Sequence, residues 1–540
     1  MPPSNQLLHP AEARVLICDE LADAALEAFR QRGITPDVAT GLTEDELCER
    51  IVGYHAAIVR SATKITKRVL EAADELRVVG RAGVGVDNVD RETATERGVV
   101  VMNTPTGNTT TTGELAVALI CSLSRHITRA DRRVRSGDWK KKGLLGTELT
   151  GKRLGVIGLG RIGRVVADRC VGLKMEVVAH DPFLSSSGKA SPVEGVELVD
   201  LDELVETCDF ISLHVPLSDA TRNLLSRERL EKAKPGVRLI NAARGGLIDE
   251  AALLDGLESG RIAGAALDVL ADEPPGKDHP LVGRDDVILT PHLGASSHEA
   301  QFNVAVDIAK QIGDFLIDGV AHNAVNAPAV SAATLKRIAP YVTLGEKMGS
   351  FLAQRMGQQV RKLEVTLSGS LVSEAQEYLP LSILVGALRN SVGGVNYVNA
   401  QLVAAEHGVR LLEGSESEKY AYQDLIKVRA TSKGGEHSHL VCGTVFGRNP
   451  RFVRVDDLHL DLAPSGWLLI TEHHDRPGVI GEIGSLLGQA GVNIRRMELG
   501  AAEKDATATG FLSLDDAPNR ETLDAIGRID AIVQVHLVEL

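Results

Sequence analysis

The chain has 540 residues, a formal net charge of −14 and 44% hydrophobic residues, a length and composition that suit roughly three to five domains with buried cores. The acidic balance argues against a nucleic-acid partner, and no apolar run is long enough to span a membrane. The N-terminus lacks the pattern of a secretion signal, and the six cysteines are scattered without a CxxC pair. We therefore expect a cytoplasmic protein with free thiols and no metal site.

The same alternation of strand-like and helical patterns occurs twice in the first three hundred residues. Short β-branched runs alternate with helical patterns over residues 14–104, and the same alternation returns over residues 151–291. This alternation predicts parallel strands joined by crossover helices, so we expect two doubly wound α/β units. A helical pattern between them covers residues 112–137 and includes much of the basic run RRVRSGDWKKK, and a further one covers residues 296–318.

The remaining part of the chain changes in character. The Pro- and Ala-rich stretch NAPAVSAA at 326–333 is typical of a linker. Glycine-rich alternating segments follow it and indicate a separate α+β domain that extends to about residue 460. The stretch LAPSG at 462–466 is typical of a short connection between domains. After it, apolar periodicity predicts a small βαββαβ domain at the C-terminus.

A glycine motif predicts a dinucleotide site. Gly158, Gly160 and Gly163 follow a predicted strand and open a predicted helix, where glycines permit a tight turn and a close approach of a pyrophosphate to the helix N-terminus. The next strand ends at Asp181, whose carboxylate can accept hydrogen bonds from a ribose diol and would repel a 2′-phosphate. The motif therefore favours NAD over NADP.

Three polar residues beyond later strand ends suit a hydride reaction at a carbonyl carbon. Such a reaction needs a proton donor at the oxygen, and His292 fits that role. Glu273 could fix the tautomer of the histidine and favour the imidazolium, and Arg244 could grip a substrate carboxylate with two N–H groups. Each residue alone has an ordinary structural explanation, but we expect the three together to form a catalytic group.

Six motifs, in order and at family spacing, resemble the D-isomer-specific 2-hydroxyacid dehydrogenases and, within them, the long D-3-phosphoglycerate dehydrogenases. They are VGRAGVGVDNVD, GLGRIG, HVPL, NAARGGLIDE, LDVLADEPP and PHLGAS. The resemblance implies a flavodoxin-like substrate domain of residues 1–106 and 300–328, and a Rossmann NAD-binding domain of residues 107–299 inserted in it. It also implies an intervening domain of residues 329–462, similar to an allosteric substrate-binding domain, and an ACT regulatory domain of residues 467–540.

The resemblance assigns roles to individual residues, with Arg244, Glu273 and His292 as the catalytic trio. The implied cofactor contacts are Gly158, Gly160, Arg161, Ile162, Gly163, Asp181, Val215, Pro216, Ala242, Arg244, Asp268, His292, Gly294 and Ala295. The expected substrate-binding residues are Arg60, Ser61, Arg81, Gly83, Val84, Gly85, Asn108 and Arg135, the last reaching across a subunit interface because its segment resembles the family's dimerising arm.

The C-terminal stretch HHDRPGVIGEIGSLLGQAGVNI resembles the effector-binding pattern of ACT domains, which bind amino acids. It implies an L-serine site built from His473, Asp475 and Asn493 in a homo-oligomer that we expect to be a tetramer. His473 is a departure from the pattern, because long relatives often carry tyrosine at that position.

The leading hypothesis is oxidation of 3-phospho-D-glycerate to 3-phosphohydroxypyruvate with NAD, the committed step toward serine, with 2-oxoglutarate reduction as a side activity. One alternative is a dehydrogenase for an unphosphorylated acid such as glyoxylate or hydroxypyruvate, and another is an NADH-sensing binding protein. Arg60, Arg81 and the basic run favour a phosphorylated substrate. A metal site at His473 with His474, or at the two histidines of EHSHL, is less favoured, because neighbours on a strand point to opposite faces and neither pair has further ligands.

Overall fold

The structure is a computed structural model that describes residues 7–186, 190–328, 332–357, 360–416, 422–501 and 507–540. Within these residues the chain forms four β-sheets with helices packed on them. Residues 1–6 of the predicted substrate domain and residues 329–331 of the predicted linker lie outside the described residues.

The first sheet is parallel and five-stranded. Its strands are β1 (Val15–Ile17), β2 (Asp37–Val38), β3 (Ala56–Val59), β4 (Val78–Arg81) and β5 (Val100–Asn103), and its helices are α1 (Ala24–Gln31), α2 (Glu44–Arg50), α3 (Lys67–Ala72) and α4 (Arg91–Glu96). The strand order β2-β1-β3-β4-β5 is the flavodoxin-like order, which confirms the predicted architecture. The two-residue strand β2 was not predicted, because both of its residues are exposed and it has no apolar pattern.

The helical pattern after the first sheet forms two helices, α5 (Thr109–Ser124) and α6 (Ile127–Arg135), so the single helix predicted over residues 112–137 is wrong. The chain turns at His126, whose backbone has a left-handed φ of 53°. Residues that come later in the chain stabilise this break. The carbonyl of Ser124 accepts the Thr147 N–H at 2.8 Å, and the His126 ring contacts the Leu145 carbonyl at 3.2 Å. The Thr147 N–H thus replaces the helical donor of the Ser124 carbonyl, and the ring contact holds the turn in place.

The second sheet is parallel and seven-stranded. Its strands are β6 (Arg153–Ile157), β7 (Glu176–His180), β8 (Val196–Leu198), β9 (Phe210–Leu213), β10 (Val237–Asn241), β11 (Ile262–Leu267) and β12 (Val287–Leu289), and its helices are α7 (Arg161–Gly172), α8 (Pro182–Ser186), α9 (Leu201–Thr207), α10 (Arg227–Lys232) and α11 (Glu250–Glu258). The order β12-β11-β10-β9-β6-β7-β8 confirms the predicted Rossmann arrangement. The order in which successive strands are added to the sheet reverses between β6 and β9, and ligands of such sheets bind at the carboxyl ends of the strands there.

After the second sheet, α12 (His298–Asp318) returns to the first sheet. The helix begins at the Ser297 cap and ends at Gly319, which has a left-handed φ of 71°. Ile308 and Ile312 of α12 share a core with Phe29 of α1. This return agrees with an inserted NAD-binding domain, although the predicted domain boundaries themselves stay a prediction.

The two places where the chain crosses between the first and second sheets are hydrogen-bonded to each other. The hydroxyls of Thr111, at the start of α5, and Ser297, at the start of α12, are 2.9 Å apart. The Thr112 hydroxyl donates to the Gly294 carbonyl at 2.6 Å and is buried. The outgoing and returning segments therefore meet at one place.

The third sheet is mixed. Its elements are α13 (Ala332–Arg355), β13 (Val360–Ser368), α14 (Ser370–Glu374), α15 (Leu379–Leu388), α16 (Ala400–Glu406), β14 (Arg410–Ser415), β15 (Leu425–Ser432), β16 (Ser438–Phe446), β17 (Asn449–Val455) and β18 (Leu458–Leu462). The strand order is β14-β13-β15-β16-β17-β18, in which only β13 and β14 pair in parallel. This arrangement confirms the predicted α+β class.

The fourth sheet is antiparallel and C-terminal. Its elements are β19 (Trp467–His474), α17 (Val479–Gln489), β20 (Ile494–Ala501), β21 (Thr507–Leu514), α18 (Arg520–Gly527) and β22 (Ile532–Glu539), which confirms the predicted βαββαβ pattern. One face of the sheet packs on its own helices through Leu469 and Ile483. The opposite face presents Leu468 and Ile470 to the core that contains Phe351 of α13. The third and fourth sheets therefore share a hydrophobic core.

The cysteines of the chain are free thiols, and burial raises the pKa of Cys18 and of Cys170 to about 12. Such thiols are protonated and unreactive at neutral pH. Among the described side chains, no group of three or more His, Cys, Asp or Glu residues could hold a metal ion. None of the described helices combines the length and the apolar composition that a bilayer crossing requires.

A buried arginine joins the third and fourth sheets. Arg355 ends α13, and only 5% of its side chain is exposed. Its Nη2 lies 3.2 Å from Asp456, between β17 and β18, and 3.0 Å from Glu472 of β19. Asp456 also accepts from the Leu440 N–H at 2.8 Å. One guanidinium therefore connects three elements across the shared core.

Replacing Arg355 with alanine should weaken this connection. We expect Arg355→Ala to lower the free energy of unfolding by about 2 kcal/mol, because two largely buried carboxylates lose their shared donor. Urea unfolding measures this change. Arg337 lies on the same helix as Arg355 and forms an exposed ion pair with Glu374. Arg337→Ala should therefore lower the free energy of unfolding by less than about 1 kcal/mol. Equal, small losses in both variants would show that the buried pair contributes nothing.

Candidate active site

The three glycines between β6 and α7 have different environments. A Cβ atom at Gly158, whose φ is 92°, would stand 2.7 Å from the His214 carbonyl oxygen. A Cβ atom at Gly163 would stand 1.9 Å from the Gly158 carbonyl oxygen, whereas one at Gly160 would meet nothing within 4 Å. Packing within the protein thus requires Gly158 and Gly163, while Gly160 borders open space. That open space fits a pyrophosphate at the N-terminus of α7.

The surroundings of this loop also suit a dinucleotide. Gly160 is the N-cap of α7, and no side-chain cap bond is made there, so Arg161 and Ile162 begin a helix whose first turn has no protein cap. The Asp181 carboxylate, just after β7, accepts the N–H groups of Leu159 and Phe183, each at 3.0 Å. Asp181 therefore lies beside the glycine loop, and its contact with a ribose stays a prediction.

The remaining predicted cofactor contacts lie at or beyond the carboxyl ends of strands of the second sheet. Val215 and Pro216 follow β9, Ala242 follows β10, and Gly294 and Ala295 lie in the loop after β12. The Val215 side chain borders Gly158, since a Cβ atom there would stand 2.7 Å from Val215 Cγ1. These residues are positioned for a cofactor, and their contacts with it stay a prediction.

The predicted proton donor and its partner are in contact. His292 Nδ1 lies 2.8 Å from Glu273 Oε2, and Glu273 Oε1 accepts the Leu270 N–H at 3.2 Å. Both side chains are partly exposed, at 47% for His292 and 37% for Glu273. Because the carboxylate engages Nδ1, it leaves Nε2 as the ring nitrogen for proton transfer with a substrate.

Asp268 holds the loop that carries His292. Its side chain is buried and accepts the Thr290 hydroxyl at 2.6 Å, the Leu293 N–H at 2.7 Å and the Gly294 N–H at 2.9 Å. The Asp268 carbonyl also accepts the His292 N–H at 3.0 Å. The family resemblance implied a cofactor contact for Asp268. In the structure its carboxylate is engaged by this loop, and it therefore positions the histidine.

Arg244 lies between the two parallel sheets. It follows β10, and its Nε lies 3.0 Å from the carboxylate of Asp87, which follows β4 of the first sheet. Its Nη1 donates to the Ala243 carbonyl at 2.7 Å. Its Nη2 lies against Gly85, where a Cβ atom would stand only 1.8 Å away. Sequence reasoning missed Asp87, although it stands within the quoted motif GVGVDNVD.

Two further arginines occupy the same end of the first sheet. Burial, and next the charge of Arg244, lower the pKa of Arg81 to about 10. A Cβ atom at Gly83, whose φ is 149°, would stand 1.5 Å from Arg81 Nη1, so only glycine fits there. Arg60 is held by Asp19, which accepts its backbone N–H. The charges of Arg244 and Arg60 both act on Arg81. The three guanidiniums therefore form one positively charged region, which favours an anionic ligand.

The other predicted substrate residues are only partly brought together. Ser61, Val84 and Asn108 lie on the loops after β3, β4 and β5, and Asn108 is buried with its Oδ1 unpartnered. Arg135 is separate, because it ends α6 and its exposed side chain pairs with Asp131 of the same helix at 2.8 Å. The structure gives no contact between Arg135 and the arginines near Asp87.

The predicted effector residues differ in accessibility. His473 is buried, and its Nδ1 lies 3.5 Å from the Thr471 hydroxyl. Asp475 is exposed, and the backbone N–H of Asn493 donates to Asp515 at 2.8 Å. Gly478, the N-cap of α17, makes no side-chain cap bond. An effector could reach Asp475 and this turn, whereas His473 is inaccessible in the chain as it stands.

Comparisons with known proteins agree with this arrangement. Three family models match the chain: the D-isomer specific 2-hydroxyacid dehydrogenase NAD binding domain over residues 117–294, the D-3-phosphoglycerate dehydrogenase intervening domain over 337–456, and the ACT domain over 467–531. The D-3-phosphoglycerate dehydrogenase of Archaeoglobus fulgidus is 40% identical over 98% of this chain and 100% of its own length. That of Synechocystis sp. is 40% identical over 98% of this chain and 95% of its own. Among solved structures, the TT0316 protein from Thermus thermophilus is 35% identical, with a TM-score of 0.53 over 58% of this chain and 99% of its own.

The open space beside Gly160 can be tested by filling it. We expect Gly160→Ala to weaken NADH binding at least about tenfold, because the added methyl group would occupy the space that suits the pyrophosphate. The fold should be preserved, since the φ of −71° at Gly160 suits alanine and no protein atom is close. NADH fluorescence titration and thermal unfolding measure the two effects.

Gly172→Ala is the matched control for this substitution. Gly172 lies at the opposite end of the same helix, and a Cβ atom there also meets nothing within 4 Å. This variant should bind NADH like the unmodified chain. Unchanged NADH binding by Gly160→Ala would contradict the assignment of the open space to the cofactor.

Proposed function

The chain belongs to the long D-3-phosphoglycerate dehydrogenases, and on this premise we propose that Arg244, Glu273 and His292 carry out its NAD-dependent oxidation of 3-phospho-D-glycerate to 3-phosphohydroxypyruvate. The observation that carries the assignment of these roles is the contact of 2.8 Å between His292 Nδ1 and Glu273. It supplies an imidazole whose second nitrogen can exchange a proton with a substrate, beside a carboxylate that stabilises the imidazolium.

The oxidation removes two hydrogens from the substrate, one from C2 and one from the C2 hydroxyl, and in the proposed chemistry the cofactor takes the first and the protein the second. NAD, when bound, accepts the hydrogen on C2 as a hydride. His292 Nε2 takes the proton of the C2 hydroxyl as the C–O bond becomes a carbonyl, and returns it in the reverse direction. Glu273 stabilises the resulting imidazolium, and Arg244 orients the carboxylate next to the reacting carbon.

The glycine loop, the uncapped start of α7 and Asp181 would hold the cofactor. The pyrophosphate would lie at Gly160 and the first N–H groups of α7, while Asp181 would accept hydrogen bonds from the adenosine ribose. The Asp181 carboxylate would also disfavour a 2′-phosphate, which supports a preference for NAD over NADP.

A phosphorylated substrate is favoured over glyoxylate or unphosphorylated hydroxypyruvate. Arg60 and Arg81 would bind the phosphate, and the buried Arg81 cation has a lowered pKa that a dianion would compensate. Arg135 would add a contact from a neighbouring subunit, because within its own chain it pairs with Asp131 and reaches neither arginine. Reduction of 2-oxoglutarate, which lacks a phosphate, would be a side activity.

The C-terminal domain would carry the control of this activity in a cytoplasmic homotetramer. L-Serine would place its carboxylate at the uncapped start of α17 and its ammonium at Asp475. Asn493 would pair with the serine hydroxyl, from the same subunit or a neighbouring one. His473 is buried, so it would support the site through packing and would make no direct contact with serine.

The substrate assignment predicts a clear order of activities. NADH formation should be fastest with 3-phosphoglycerate, and glycerate and other unphosphorylated acids should react far more slowly.

His292→Ala should lower kcat by about 10²- to 10⁴-fold and leave NADH binding intact, because only the proton acceptor is removed. Equal rates with phosphorylated and unphosphorylated acids would overturn the substrate assignment, and near-native turnover of His292→Ala would overturn the role of the histidine.

Serine regulation predicts that inhibition depends on two exposed side chains. We expect serine to inhibit the unmodified protein, and Asp475→Ala and Asn493→Ala to abolish this inhibition while the oligomer stays intact. The coupling between the sites is expected to be about 1 to 3 kcal/mol, so partial inhibition also supports the proposal. Activity and light scattering would be followed during the titration. Absence of serine binding at millimolar concentration would remove the proposal and leave a C-terminal domain that only assembles the oligomer.

A further inference from the structure

The contact between Arg244 and Asp87 is an ion pair between two separate sheets. Asp87 lies on the loop after β4, Arg244 lies on the loop after β10, and the two atoms are 3.0 Å apart. The Asp87 side chain is 77% exposed, whereas that of Arg244 is 26% exposed. The carboxylate is therefore largely in solvent, while the arginine that it contacts is largely covered.

This pair competes with the grip on a carboxylate that Arg244 is proposed to provide. A bidentate grip uses two neighbouring guanidinium nitrogens. In the structure Nε is bonded to Asp87 and Nη1 to the Ala243 carbonyl. Asp87 therefore occupies the single hydrogen of Nε and blocks a side-on grip through Nε and Nη2, whereas Nη1 keeps a second hydrogen. A substrate carboxylate bound to Arg244 would also bring a second negative charge close to the Asp87 carboxylate, and the two like charges would repel each other.

We propose that Asp87 is a placeholder for the substrate carboxylate, which holds Arg244 across the crevice when substrate is absent and yields Arg244 Nε when substrate binds. The inference rests on the proposed role of Arg244. Asp87 acts through that arginine, so it is a positioning residue that lowers the affinity for every 2-carboxylate ligand, substrate and product alike.

An alternative role for Asp87 predicts the opposite effect. If the aspartate holds Arg244 in the orientation that binds substrate, its removal would weaken substrate binding. If it is a placeholder, its removal strengthens binding. The sign of the change in substrate affinity therefore separates the two roles, and a general loss of structure would not improve affinity.

The experiment measures substrate and oxalate binding by Asp87→Asn. We expect KM for 3-phosphoglycerate, and the Kd for oxalate with NADH bound, to fall about twofold to fivefold, within the range of exposed ion pairs. The KM for NAD should not change. Asp87→Glu, which keeps the charge, should restore the affinity of the unmodified protein. Asp87→Ser serves as a second neutral variant and should show the same fall.

Glu92→Gln is the charge-matched control. Glu92 is exposed in the first turn of α4, so this variant makes the same change in net charge nearby, and its substrate affinity should stay unchanged. In an Arg244→Lys background, where the guanidinium fork is lost, Asp87→Asn should no longer tighten oxalate binding.

The outcomes distinguish this inference from the proposed function. If Asp87→Asn raises the Kd for oxalate or leaves it unchanged while Arg244→Lys weakens oxalate binding, only the placeholder is overturned. If Arg244→Lys leaves oxalate binding unchanged, the role of Arg244 and the placeholder are both overturned. If the unmodified protein does not oxidise 3-phosphoglycerate, the substrate assignment fails, and oxalate binding still decides the role of Asp87.

Discussion

One buried carboxylate determines where the histidine of the candidate site stands. Asp268 is 2% exposed, and its side chain accepts three hydrogen bonds from the loop after β12. Bonds to a charged acceptor are stronger than neutral ones, and removing the acceptor would leave buried donors without partners. His292 itself is half exposed, so its position comes from the interior of the second sheet, with Glu273 adding a second constraint from the loop after β11.

The substrate side of the crevice is organised by charge, in contrast to the hydrogen-bonded histidine loop. Arg81 is largely removed from water, and the nearest described carboxylates, Asp87 and Asp19, do not offset the repulsion from Arg244 and the cost of burial, since the pKa of Arg81 is lowered to about 10. A cluster of cations with too few counter-ions is unfavourable in an empty site and favourable once an anion binds. The first sheet thus contributes two of the three arginines of the crevice, and the second contributes Arg244 and the histidine with its supporting carboxylates.

The sequence was sufficient for features that depend on neighbouring residues and insufficient for features that depend on distant ones. Most strands of both parallel sheets and the glycine loop follow from local patterns, and so they were predicted. The break at His126 was not, because the residues that replace the helical bonds lie about twenty positions later. The Asp87–Arg244 pair joins residues 157 positions apart, and only folding brings them together.

The tied crossings between the first and second sheets have a mechanical consequence. Because the hydroxyls of Thr111 and Ser297 meet at 2.9 Å, the two connections act as a single pivot. Rotation of one sheet toward the other about this point would leave the bond intact, whereas sliding of one sheet past the other would break it. Anyone who exchanges the N-terminal sheet for that of a relative would therefore have to transplant both crossings together, as one part.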